Sequence, residues 1–247
     1  MLWLDFSIDR DLDGDGFRPR ADHLPTIFSL MPTIQGRPPT APPRIVGTML
    51  SANAETLVAD AIDSVIDHVD MLLLVDTGIR DRTIDVASDH AREKLVVRKL
   101  RWPDDFGEAR NAALNFSKQL DARWSMTIDT DERMEFEDLA DAESLLARLE
   151  CDPNVTTWMV RQRDGSYAKE RFIKLPTDLT WRGRTHEALG GPSLATRQTL
   201  TGVRFWEEPK SDVQMRSKLQ RDLHMLLEET AEHPDIARWW YYLWQTL

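Results

Sequence analysis

The chain has 247 residues, enough to bury one sizeable core, and its single cysteine, Cys151, excludes an internal disulfide framework. A formal charge of −11, from 31 basic and 42 acidic residues, argues against a nucleic-acid partner or any other broad polyanion surface. The start turns acidic by Asp5 without a basic segment or an apolar run of signal-peptide length, and nowhere do about 18 apolar residues run together. The expectation is a soluble, cytoplasmic protein with no transmembrane segment.

Residues 1–43 are rich in Asp, Pro and Gly and show no sustained period, so they read as an irregular leader. Within it Asp11, Asp13, Asp15, Gly16 and Asp22 are spaced like the ligands of a calcium loop. Arg18, however, stands where such a loop is apolar, and no flanking helix pair is evident, so a solvated loop is expected. From Arg44 the texture changes. "RIVGTML" predicts a strand, and Leu57, Val58, Ala61, Ile62, Val65 and Ile66 form one stripe of a helix. "MLLLVDTG" is a continuous apolar run ended by Asp and Gly, as in a strand covered on both faces. "DRTIDVASDHA" follows as a helix capped by Asp81, then "KLVVRKL" as a strand. "GEARNAALNFSKQL" is a helix with Ala109, Ala112, Ala113, Phe116 and Leu120 inward, and "RWSMTID" a strand. Four alternations of strand and helix predict an α/β layered sheet with right-handed crossovers.

In "RWSMTIDTD", Trp124, Met126 and Ile128 face one way and Ser125, Thr127 and Asp129 the other, and an extended chain lets Asp129 and Asp131 share a face. Both sit where a strand ends, as does Asp76, and ligands of open α/β sheets bind outside the carboxyl ends of the strands. Carboxylates so placed are hard oxygen ligands for Mg²⁺ or Mn²⁺, which complete their shells with substrate phosphates. A bare Asp-x-Asp is also common by chance. Arg110 suits a diphosphate through its planar fork, or could pair with Glu108 or Asp105 at a helix end; Asp104 and Asp105 read as caps.

Four segments in order, "LLLVDTGIRDRTIDVA", "WPDDFGEARNAAL", "WSMTIDTDE" and "WRGRTHEAL", resemble the family 2 glycosyltransferases of the GT-A fold, in the bacterial branch with a D-x-D-E motif and a late H-E pair. The resemblance implies a Rossmann-like, mostly parallel central sheet with flanking helices over residues 44–210. It also implies metal-dependent, inverting transfer of a hexosyl or N-acetylhexosaminyl group from a nucleotide-sugar donor, a UDP-sugar first, to an unknown acceptor. It places Asn53, Asp76, Arg110, Asn111 and Asp129 around the donor, and Asp131 on Mn²⁺ or Mg²⁺. His186 is expected to join the metal and Glu187 to act as general base; the alternatives are that Glu187 orients His186, or pairs at the surface with Arg182 or Arg184. Ile79 stands where the family usually has Ser, and "SANAET" keeps only Asn53 and Glu55 of the usual first motif. A catalytically silent nucleotide-sugar or carbohydrate-binding module acting as an adaptor is therefore the rival reading.

Residues 211–247 predict a C-terminal helical extension. Ser211 and Gln214 form a capping box ahead of a stripe through Met215, Leu219, Leu223, Leu226 and Leu227, and "PDIARWWYYLWQTL" begins a second helix. The pair resembles the start of a tetratricopeptide-type array. Trp239, Tyr242 and Leu243 fall on one side and Trp240, Trp244 and Leu247 on another, more than one neighbour can cover. Self-association, a protein partner, or a longer parent protein is expected.

Overall fold

A computed structural model describes residues 33–37, 39–192 and 196–247. The acidic segment Asp11 to Asp22, and most of the leader, lie outside the described residues.

The strands are β1 (Thr33–Gln35), β2 (Ile45–Ser51), β3 (Met71–Asp76), β4 (Leu95–Lys99), β5 (Trp124–Thr127) and β6 (Glu132–Phe136), then β7 (Thr157–Gln162), β8 (Ala168–Lys174), β9 (Thr180–Arg182), β10 (Ala188–Gly190) and β11 (Arg197–Glu207). Between and after them lie α1 (Val58–Asp63), α2 (Thr83–Ala91), α3 (Phe106–Gln119), α4 (Leu139–Glu143), α5 (Leu145–Leu149), α6 (Asp212–Glu232) and α7 (Ala237–Thr246). Nine strands form one sheet in the order β1-β4-β3-β2-β5-β8-β7-β11-β6, and β9 with β10 forms a separate hairpin.

The period-two rule sorts the core. Leu72 and Leu74 of β3 pack with Val58, Ala61 and Ile62 of α1 and Ala87 of α2, whereas Met71, Leu73 and Val75 pack with Ala109, Ala112, Ala113 and Phe116 of α3. β3 is therefore buried along its whole length, as its unbroken apolar run requires. Each fully buried leucine there contributes about 1.5–3 kcal/mol of transfer free energy, an upper estimate because the unfolded chain is already partly collapsed. Trp124, Met126 and Ile128 join the α1 side of the core, as their alternation predicts.

β2 runs parallel to β3 and β5, and β3 to β4, so all four carboxyl ends share one edge. Asp76 and the segment after Thr127 thus arrive at the same rim.

Two expectations are corrected. The stripe from Leu57 to Ile66 is not one helix: α1 ends at Asp63, and a short turn of 3-10 helix covers Ile66–His68. Ser64 turns back instead, donating to Ala61 O at 2.8 Å and accepting from Met134 N at 3.1 Å, which ends the α-helix while keeping Val65 buried. In α6 the capping box is present, but the buried residues are Asp222, Met225, Leu226, Glu229 and Thr230, while Met215, Leu219 and Leu227 are exposed. The helix docks against a polar loop, so its contact face mixes carboxylates with Met225 and Leu226, and of the expected stripe Leu226 is buried there while Met215, Leu219 and Leu227 lie outside it.

Candidate active site

The loops after β2 and β3 are laced together by their polar side chains. Asp76 Oδ1 accepts from Gly78 N at 2.8 Å and Ile79 N at 2.7 Å, and Asn53 Oδ1 accepts from Arg80 N at 2.7 Å. Glu55 Oε2 accepts from Arg82 N at 3.1 Å, and Asp81 Oδ2 accepts from Glu55 N at 3.2 Å. Asp81 Oδ1 also accepts from Thr83 N and Oγ1, but the N-cap position of α2 falls to Arg82, which makes no side-chain cap, so Asp81 braces the turn one residue ahead of the expected cap. Ile79 keeps its backbone bond to Asp76 while its side chain packs on the core, so the departure from Ser leaves the loop closed.

Asp105 caps α3 by accepting from Glu108 N at 2.8 Å. The helix can then approach the β9–β10 loop closely: Phe106 N donates to Arg184 O at 2.9 Å and Gly107 N to Gly183 O at 3.2 Å. A Cβ on Gly107 would come within 2.9 Å of Gly183 O, so glycine is needed for the approach. One turn on, Arg110 faces inward. Its Nε donates to Glu187 Oε1 at 2.5 Å and its Nη2 to Asp129 Oδ1 at 3.0 Å, with the guanidinium 5.6 Å from the Trp181 ring centroid. The helix-end pairing with Glu108 or Asp105 is therefore not the one made. Asn111 donates to Trp181 O and accepts from Trp181 N, both at 2.8 Å, which fixes β9 against α3. Its amide already serves the scaffold on both sides.

Asp129 N donates to Glu132 Oε2 at 2.8 Å. Glu132 is buried and meets Arg171 at 2.5 Å and Lys169 at 2.7 Å. Burial opposes its charge, but these two cations outweigh burial and hold its carboxyl well below the usual range. The motif thus divides its labour: Glu132 braces the turn from within, and Asp129 and Asp131 face the rim. Sequence reading missed Glu132, Lys169 and Arg171 as a unit. The available signal was "AKERFIK", where Lys169 and Arg171 stand two apart and so share a face of a strand.

Asp131 Oδ2 is ion-paired with Lys210 Nζ, and its backbone carbonyl accepts from Glu208 N at 2.7 Å. His186, expected at the metal, turns the other way: its ring stacks on Tyr242 of α7 with centroids 4.1 Å apart and planes 7° apart, and Nε2 lies 3.9 Å from Asp222 Oδ2. Burial and then the Lys218 ammonium push the His186 imidazole below its ordinary value. For Glu187, burial resists ionisation, yet the Arg110 charge and hydrogen bond prevail and hold the carboxyl below its ordinary range. The surface pairing of Glu187 with Arg182 or Arg184 is replaced by the buried pair with Arg110.

Among the described residues no three His, Cys, Asp or Glu side chains gather as a resident metal site would need. Asp131 supplies one hard carboxylate at the rim. A Mg²⁺ or Mn²⁺ carried on a diphosphate needs only one or two such groups, so the residues fit a cation that arrives with a donor.

A twisted sheet with an acid-lined carboxyl rim and helices on both faces is the GT-A glycosyltransferase fold. Residues 49–198 match the model of glycosyl transferase family 2, and the chain belongs to that family. It is 26% identical over 205 residues to a TPR repeat-containing protein of Synechococcus elongatus, covering 76% of this chain and 48% of that protein, so the chain spans about half the length of this curated relative. Among solved structures, a mannosyltransferase of Pyrobaculum calidifontis in complex with GDP-Man and Mn²⁺ superposes with a TM-score of 0.51 at 16% identity, over 83% of this chain and 68% of that one. Glucosyl-3-phosphoglycerate synthase of Mycobacterium tuberculosis, in complex with Mn²⁺ and UDP-Glc, superposes with a TM-score of 0.50 at 13% identity, over 74% of this chain and 77% of that one. At these identities the likeness establishes the fold.

Proposed function

We propose that this chain transfers a hexosyl or N-acetylhexosaminyl group, with inversion, from a nucleotide-sugar donor to an acceptor hydroxyl, with Mn²⁺ or Mg²⁺ bound alongside the donor. The observation that carries the reading is Arg110, which joins Asp129 and Glu187 and so brings three separate sequence segments to one point at the carboxyl rim. A UDP-sugar is the first donor to try. Asp76 and Asn53 shape the loops on the nucleotide side, Asp129 would lie toward the ribose or sugar, and Asp131 would hold the cation in place of Lys210. When bound, that cation neutralises charge developing on the diphosphate leaving group. His186 has its ring packed on Tyr242 and is not needed as a ligand for this scheme.

Glu187 is the proposed base. It is ionised at neutral pH, yet its tight pairing with Arg110 makes it a weak proton acceptor. A diphosphate that competes for the Arg110 guanidinium relaxes that pairing and restores proton affinity to Glu187. Donor binding and base activation are then linked through one side chain.

The rival reading, a module that binds a nucleotide sugar without turnover, draws on the Lys210–Asp131 pair, which occupies the carboxylate a cation would use. A panel of nucleotide sugars with Mn²⁺, read by release of free nucleoside diphosphate, separates the two. Metal-dependent release supports the transferase; tight binding of a donor without release supports the silent module; neither binding nor release refutes both. Among the described residues no helix is long and apolar enough to cross a membrane.

A further inference from the structure

The loop Gly183 to Glu187 joins β9 to β10, and its last residue is the proposed base. Every other residue in it is held by the C-terminal helices. Gly183, at φ 98°, lies under the Trp239 indole of α7, where any Cβ would overlap the ring. Arg184 N donates to Glu229 Oε2 at 3.0 Å, and its guanidinium meets Glu232 at 2.7 Å and Glu228 at 3.4 Å, all on α6. Thr185 Oγ1 donates to Asp222 Oδ1 at 3.2 Å. The His186 ring stacks on Tyr242, and its carbonyl accepts from Arg238 Nη2 at 3.0 Å. His186 sits at φ 51°, a left-handed conformation that a non-glycine residue keeps only when its surroundings impose it.

Two features show that these contacts are more than general packing. Glu229 is a buried carboxylate on a helix face that an apolar residue would fill at lower desolvation cost, and it is turned to this loop; Asp222, also buried, is held by Lys218 and Arg221 of its own helix and so presents Oδ1 to Thr185. The Trp239 Nε1 is buried without a hydrogen-bond partner among the described residues, so the ring is set by its fit over Gly183.

We propose that α6 and α7 are a working part of the active site: Trp239, Asp222 and Glu229 are positioning residues that seat loop 183–187 so that Glu187 lies on Arg110. This rests on the reading of Glu187 as the base. The extension is then not an appended cap. Whatever moves the helix pair moves Glu187, while the loops at Asp76 and Asn53, braced by β2 and β3, stay in place.

The full 247-residue chain tests this through Trp239→Ala, Trp239→Phe and Thr185→Val, the last removing the hydroxyl held by Asp222 without touching either helix. Trp239→Ala should speed amide hydrogen exchange across 183–187 about ten-fold or more with exchange in β3 unchanged. Turnover should fall by up to about 10²-fold at unchanged UDP affinity in the presence of Mn²⁺, and Trp239→Phe should restore most of both. Thr185→Val should show the same pattern more weakly, and it decides the matter should Trp239→Ala fail to fold. Wild-type exchange and turnover in the alanine and valine variants would overturn the proposal. A thermal-stability cycle keeps it separate from the activity itself. The loss caused by Glu187→Gln should shrink in the Trp239→Ala background, because the buried pair with Arg110 is already loosened. Full additivity would refute positioning even if every donor is turned over. Coupling without turnover of any donor would uphold the seating of Glu187 and sink only the transferase reading.

Discussion

Lys210 reaches from the connection between β11 and α6 to place its ammonium on the Asp131 carboxylate, 79 residues away in sequence. The two side chains are about one-quarter exposed, so the pair is partly shielded and worth more than an open surface contact. On the proposed assignment of Asp131 to the metal, a divalent cation would have to compete with it. Lys210→Met should therefore tighten Mn²⁺ binding about three- to ten-fold, measured as loss of the free-Mn²⁺ paramagnetic resonance signal during titration. Unchanged affinity would mean the lysine and the cation do not share Asp131.

Asp131→Ala should abolish the metal-dependent part of nucleotide affinity and leave the fold intact, since a rim carboxylate supports no core. Calorimetric titration of UDP with and without Mn²⁺ reads this directly. Equal behaviour of variant and wild type in both conditions would remove Asp131 from the metal.

Glu187→Gln should lower turnover by about 10² to 10⁴ with donor binding retained. Because the Glu187 carboxyl is held below its ordinary range in the free protein, the acid limb of kcat/KM should lie below the usual glutamate range. A pH-rate profile that falls already near neutrality would point to a different base.

Glu132 carries the strongest stability prediction. Its folded-state pKa is depressed, so the stability it contributes is fully present above its unfolded value, about 4.3, and is lost as pH falls toward the folded value. Glu132→Gln leaves Arg171 buried without its counter-charge, and should cost about 3–5 kcal/mol at pH 7. The gap between variant and wild type should narrow at pH 3. Urea unfolding at the two pH values checks both statements, and a gap that stays constant would contradict the sign.

The outer face of the extension is apolar. Trp244 is 73% exposed and Trp240 49%, while Leu243 is buried and Trp239 is buried over Gly183. Met215, Leu219 and Leu227, three members of the stripe expected to be buried, extend the exposed area along α6, while Leu226 of the same stripe is buried. Self-association through this face is the predicted result in light scattering after size exclusion, with Trp244→Lys shifting the population to monomer. A clean monomer at high concentration would leave the face to another partner.

Much was legible because it depends on near neighbours in sequence. Alternation in "WSMTIDTD" puts Trp124, Met126 and Ile128 in the core and frees Asp129 for the rim, since side chains on a strand alternate whatever the strand packs against. The capping residues Asp105 and Ser211 were readable for the same reason: a cap bonds only two or three residues along. The order of the four motifs carried the fold and the family.

The pairings were not legible. Whether Arg110 meets Glu108 or Glu187, whether Asp131 meets a cation or Lys210, and which way the His186 ring turns depend on distances of a few ångströms between elements far apart in the chain. Hydrophobic periodicity shows that α6 has an apolar stripe, but not that Glu229 is buried in its contact face, because the backbone N–H of Arg184 that Glu229 accepts from is supplied by the distant β9–β10 loop. Local sterics and periodicity made β2 to β5 and their helices readable and carried Asp76 and Asp129 to the rim, whereas β6 to β11 left no such pattern. Which charge each acid meets follows from packing, because an ion pair forms between whatever groups it brings within about 4 Å.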